Sequence, residues 1–200
     1  GTPYSSPNSA TMQKTDAAAA LVMNGSDAVN ATTSGGGLIV NGSGNGGIRS
    51  NRLVPSTGKF YFEVKILNLG STYIDFGLMS STVGLTADTG GTPQACQVLQ
   101  DSVPNTYLRF NYPTGDQALA TWAVNDIIMF AVDRDASRAW AGLNGAWQGG
   151  VDPSGGTGGI SLSGIASDLY VHLQGNGSWS AQFYFLAAGQ TYVAPTGFGE

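Results

Sequence analysis

Large apolar side chains occur along most of this chain in short runs that alternate with polar ones, and clusters of Gly, Pro, Asn and Ser separate the runs. A period of two puts alternate side chains on opposite faces of an extended strand, so from Gly35 onward the pattern predicts an all-β domain. Helical periodicity is nearly absent. In FYFEVKI (60–66), Phe60, Phe62, Val64 and Ile66 point one way and Tyr61, Glu63 and Lys65 the other, as in a strand with one wet face. YIDFGLM (73–79), YLRFNY (107–112), LYVHLQ (169–174) and AQFYF (181–185) repeat the pattern, and GLIV (37–40) predicts an earlier strand. IIMFAV (127–132) is apolar on both faces, which predicts a strand in the middle of a sheet covered on each side.

Turn chemistry links these runs. DRDAS (133–137) offers Asp and Ser side chains to nearby backbone amides, RAWAGL follows as a strand, and Asn144-Gly145 suits the two positive φ angles of a type I′ hairpin. The segment Asp16–Met23 predicts either a short helix with Asp16 as its cap or a strand entering a turn at Asn24-Gly25. Residues 81–105 form the longest stretch of weak periodicity, and Gly149–Gly159 reads as a second flexible loop. The domain organisation expected is a divergent segment, 1–34, packing on or completing a sandwich formed by 35–200.

Composition narrows the function. Charged residues are 10% of the chain, against about 25% in ordinary domains. Gly reaches 30 of 200, so small neutral polar groups keep the chain in solution. A net charge of -5 gives no electrostatic term toward nucleic acid or an anionic membrane. The longest apolar run, AAAALVM, falls far short of the roughly 20 residues that cross a bilayer, and no basic segment precedes it. The chain begins with Gly rather than Met, as expected of a processed form or a piece of a longer protein.

Catalytic and metal signals are weak. Cys96 stands alone, which excludes an internal disulfide and reads as a buried small hydrophobe; with His172 the only histidine, the common zinc sites lack ligands. His172 alternates with Val171 and Leu173, so it reads as a partly buried strand residue rather than a catalytic base. Gly42, Gly44 and Gly47 in GSGNGG have a dinucleotide-fingerprint spacing, but no helix pattern follows them, so they read as a flexible hairpin loop. Gly58-Lys59 lacks the earlier glycine and the hydroxyl of a phosphate loop. Glu63 and Asp75, distant in sequence, are carboxylates that could converge for glycoside hydrolysis. After the pair Asp133 and Asp135 the next acid is Asp152, too few ligands for a calcium loop, so the pair reads as a turn. Nothing calls for a cofactor. The Asn-x-Ser/Thr strings at Asn24, Asn30, Asn41 and Asn176 are expected from composition alone.

Taken in order, GKFYFEVKI (58–66), IDFGLMS (74–80), NDIIMFAVDRDASRAWAGLNGAW (125–147) and AQFYFLAAGQTYVAPTGF (181–198) resemble the SPRY family over about 140 residues. Asn125 stands where that family often has Gly, Ala139 and Ala141 replace larger hairpin residues, and Tyr184 and Leu186 replace a more familiar Asn-Phe-Gly ending. The resemblance implies a bent antiparallel β-sandwich, a SPRY or concanavalin-like jelly roll, without enzymatic activity. Loops at one edge would bind a peptide or protein. The low charge and the ending VAPTGFGE are similar to SPRY-like modules of bacteriophage virion proteins, such as tail fibres and head decorations.

That reading gives three expectations. In the first, the chain is part of a virion and contacts other virion proteins or a host-surface receptor, protein or glycan; in the second, it is a cytoplasmic peptide-binding adaptor; in the third, a lectin-like module stacks exposed aromatics on sugar rings. An exposed sheet edge would also allow association of several copies. The contact residues expected at strand ends and loops are Tyr73, Tyr107, Arg109, Tyr112, Trp147 and Trp179.

Overall fold

The computed structural model describes residues 20–86, 94–101, 105–110 and 116–199. Among these residues thirteen strands form one curled antiparallel sheet that folds over as a bent sandwich. In chain order they are β1 (Met23–Ser34), β2 (Ile39–Ser50), β3 (Lys59–Leu69), β4 (Tyr73–Ser80), β5 (Ala95–Asp101), β6 (Thr106–Phe110) and β7 (Gln117–Leu119). Then follow β8 (Ile127–Asp133), β9 (Arg138–Leu143), β10 (Ala146–Trp147), β11 (Ile160–Ser161), β12 (Leu169–Gly175) and β13 (Ser178–Tyr184).

The long strand β2 makes the bend. Its first half pairs with β13 and leads through β3 and β8 to β9, on which β10 and β11 sit; its second half pairs with β12 and leads through β4, β5 and β6 to β7. β1 pairs along β2, with irregular register between Met23 and Ala28 and between Val29 and Ala31. The sandwich nearly closes where Gln117 Nε2 on β7 donates to Gln148 O beyond β10, at 2.9 Å.

The inward positions of both layers form one core, including Phe62, Phe130 and Phe183 from the first layer and Phe76, Val98 and Val171 from the second. Cys96 is fully buried among them, and burial pushes its thiol pKa well up. Each large side chain so buried stabilises the fold by about 1.5–3 kcal/mol. β8 is buried on both faces, as IIMFAV predicts.

β3 departs from its expected wet face. Tyr61 and Glu63 are 1% and 0% exposed, because the segment after β13 crosses over them. Glu63 accepts the amides of Thr191 and Tyr192 at 2.7 Å each and the Tyr61 hydroxyl at 2.7 Å. Phe198 packs edge-on to Trp140, 5.9 Å between ring centres, and Gly199 bridges Phe60.

The glycines of GSGNGG lie inside β2 and not in a hairpin loop. A Cβ on Gly42 would stand 2.0 Å from the Trp179 indole, and one on Gly47 would stand 2.7 Å from Leu85 O. Close approach of ring and backbone requires glycine there. Asn24-Gly25 likewise lies within β1 rather than at a turn, and Met23 begins that strand; residues 16–19 of the predicted helix fall outside the described residues. The weakly periodic stretch 81–105 contains β5, a fully paired strand. The loop Gly149–Gly159 is pinned by an Asp152–Thr157 bridge and by Trp140 Nε1 donating to Thr157 O at 2.9 Å.

The DRDAS turn behaves as read. Asp133 accepts the Ala136 amide at 2.8 Å and meets Lys59 Nζ at 3.2 Å, and Asp135 accepts the Gly58 amide at 3.0 Å. Asn144 and Gly145 have φ of 49° and 87° in a two-residue hairpin between β9 and β10, as the type I′ reading requires. Asn125 has φ of 75°, a left-handed conformation that Asn tolerates better than most side chains.

Candidate functional site

The outward face of the second layer is polar. Cross-strand register places Arg49, His172, Gly77, Gln97 and Arg109 in one row across β2, β12, β4, β5 and β6. The adjoining row holds Gly47, Gln174, Asp75, Leu99 and Tyr107. Directly paired residues share a face, so these side chains project together from the sheet. Gly77 has no side chain between His172 and Gln97, and a Cβ there would lie 2.2 Å from Cys96 O. The β5 backbone therefore sits directly against Gly77, and this close approach requires glycine there.

The chain after β4 roofs one side of the face. Val83 and Leu85 pack on Met79 and Ala95 in a small apolar cluster. Its backbone carbonyls then accept from the face: Gln174 Nε2 donates to Gly84 O at 3.1 Å, Asn45 Nδ2 to Thr86 O at 3.3 Å, and Arg49 to Val83 O. Arg49 also pairs with Asp27 at 3.1 Å. His172 Nε2 meets Asp75 Oδ1 at 2.9 Å, with the two residues 0% and 3% exposed.

Not all of these polar groups are satisfied. Among the described residues six buried side-chain nitrogen or oxygen atoms lack a hydrogen-bond partner, and four of them belong to this face: Arg49 Nε, Gln97 Oε1, His172 Nδ1 and Gln174 Oε1. An unsatisfied buried polar group costs about 1–3 kcal/mol, so their concentration in one place is not explained by stability. Two are acceptors, one is a donor, and His172 Nδ1 takes either role according to its tautomer.

Of the six expected contact residues, three come together here. Tyr73 opens β4, and its hydroxyl donates to Asn45 Oδ1 at 2.7 Å. Tyr107 and Arg109 lie two apart on β6; the Arg109 guanidinium sits 5.1 Å from the Tyr107 ring centre and grips Asp116 through two nitrogens at 2.9–3.1 Å. All three are partly exposed. Tyr112 lies outside the described residues. Trp147 is on β10 in the other layer, edge-on to Tyr61 with ring centres 6.3 Å apart.

Trp179 is no contact residue: it is 1% exposed, its ring lies against Gly42 and Gly175, and its Nε1 donates to Gly44 O at 3.2 Å. A large indole in a strand is placed by what it packs on, and β2 and β12 offer it glycine backbone. Sequence reasoning missed Arg49, Gln97 and Gln174. Gln97 and Gln174 each stand between apolar neighbours, Cys96 and Val98 or Leu173 and Gly175, and that alternation was the available signal.

His172 is more deeply buried than the sequence implies, and no side chain placed as a nucleophile accompanies the Asp75–His172 pair among the hydrogen bonds of the described residues. Glu63 and Asp75 do not converge: they lie on outward faces of different layers, and each is engaged by its own partners. Among the described residues no group of three His, Cys, Asp or Glu could hold a metal ion.

Comparison with solved structures places the architecture. The SPRY domain of human HERC1 aligns with a TM-score of 0.62 at 18% identity, covering 82% of this chain and 98% of that one. The fold is SPRY-like. The PSpry domain of TRIM65 aligns with a TM-score of 0.61 at 10% identity, over 82% of this chain and 91% of that one. Stonustoxin aligns with a TM-score of 0.60 at 11% identity, over 82% of this chain and 28% of that much longer one. No family model and no curated protein matches the sequence.

Proposed function

We propose that this SPRY-like chain is a non-catalytic module that binds a peptide or protein on the outward face of β4, β5 and β6. The observation that carries the reading is the clustering on that face of partly exposed Tyr73, Tyr107 and Arg109, the last two stacked 5.1 Å apart. Aromatic and Arg side chains are the usual anchors of interfaces. Display selection of peptides on the full chain, with re-screening against Tyr107→Ala and Arg109→Ala, tests it. Enriched peptides should lose binding in both variants while the melting temperatures stay close to that of the parent. Failure to enrich any sequence would overturn it.

A second reading, a bacteriophage virion setting with other virion proteins or the host surface as partner, is favoured by composition: 10% charged residues and 30 glycines. None of the three named structures is a virion protein. Assembly of the purified chain with virion components, or its attachment to host cells, tests this setting. A lectin role has less support, because Trp122, Trp140 and Trp179 are 3%, 0% and 1% exposed and offer no platform for a sugar ring.

A further inference from the structure

The other layer carries a concave, largely apolar surface away from the polar face. Between the β2–β3 connection and the end of β13 is a cleft of about 440 Å³, within the range of ligand pockets. Its floor is aromatic: Phe60, Phe62 and Phe185, which continue into the main core. Its rim carries Leu53 and Leu186, 45% and 46% exposed, two of the five exposed large apolar side chains among the described residues. The walls are fixed, since Val54 N donates to Leu169 O and Asn51 N to Val22 O, both at 2.8 Å.

One charge borders this apolar surface. Arg52 lines the cleft, is exposed, and makes no ion pair or side-chain hydrogen bond among the described residues. The other arginines differ: Arg49 and Arg109 are paired to carboxylates, and Arg134 and Arg138 donate to backbone carbonyls. An apolar floor beside an uncompensated guanidinium is complementary to an apolar side chain with a carboxylate close by.

We infer that this cleft docks a peptide segment of a partner protein in which a Leu- or Phe-sized side chain enters between Leu53 and Leu186 while a neighbouring Asp or Glu pairs with Arg52. The site is independent of the polar face, so either can fail without the other.

Fluorescence anisotropy of the full chain with three labelled peptides, acetyl-GLFDLG, acetyl-GLFNLG and acetyl-GLFKLG, tests this. The acidic peptide should bind about fivefold tighter than its Asn counterpart, the scale of one solvent-exposed ion pair. Arg52→Glu should reverse the order in favour of the Lys peptide. Leu53→Ala combined with Leu186→Ala should weaken the acidic peptide about tenfold through lost apolar burial. Both leucines are half exposed, so an unchanged melting temperature will show that the variant is folded. Equal affinity for the three peptides, or binding indifferent to the two leucines, would overturn the inference. So would binding that appears only after residues 1–19 are deleted, which would assign the cleft to the chain's own first residues.

Discussion

The Glu63 carboxylate accepts the backbone amide of Tyr192 at 2.7 Å, joining two residues 129 apart in sequence. With the Thr191 amide and the Tyr61 hydroxyl on the same carboxylate, this buried charge holds the C-terminal crossing against β3. Glu63→Gln puts an amide NH₂ where a donor already points, so it should lower stability by about 3 kcal/mol. Hydrogen exchange at the Thr191 and Tyr192 amides should accelerate ahead of exchange in β8. Unchanged protection at those two amides would show that packing of Phe198 alone holds the crossing.

Tyr61 gives that contact a pH dependence. Burial first, then its hydrogen bond to Glu63 and that residue's charge, push the phenol pKa well above its usual range. Below the ordinary value of ~10 both folded and unfolded chains keep the proton. Above it the unfolded chain releases the proton first, so stability falls as pH rises. Urea midpoints should therefore drop between pH 9 and pH 11, and drop less in Tyr61→Phe. The Cys96 thiol, raised by burial, acts in the same direction and leaves a residual slope in that variant. Parallel slopes for the two proteins would contradict the assignment.

Trp179 separates packing from recognition. Its ring fills the space over Gly42 and Gly175, so Trp179→Ala should cost about 3–5 kcal/mol in urea unfolding. A loss below about 1 kcal/mol would mean that the site collapses around the smaller side chain.

Gln97 should show the opposite behaviour. Its Oε1 is buried without a partner, so Gln97→Met, close in shape, should raise stability by about 1 kcal/mol in urea unfolding. Destabilisation would mean that the carboxamide is already satisfied in the free protein.

The parts of this fold that were legible in the sequence are those fixed locally. Alternation marked β3, β4, β12 and β13, apolar character on both faces marked β8, and Asn144-Gly145 specified its turn through backbone conformation. What stayed hidden depends on distant neighbours. The wet face expected of Tyr61 and Glu63 is covered by residues more than a hundred positions later, and the glycines of β2 are required by Trp179 and Leu85, which no local pattern reports. β5 escaped because Gln97 and Gln100 dilute its apolar signal, though both are buried. The same rule governs the polar face: Tyr73, Tyr107 and Arg109 could be chosen as residue types, whereas their alignment with Gln97, Gln174 and His172 follows from cross-strand register.

Backbone amide shift mapping tests the polar-face reading most directly, using a peptide enriched by selection on the full chain and titrated into labelled protein. The account predicts that perturbations gather on β4, β5 and β6 around Tyr73, Gln97, Tyr107 and Arg109, and reach His172 and Gln174 on β12. Perturbations confined to the first layer or scattered over the surface, with that face silent, would contradict it.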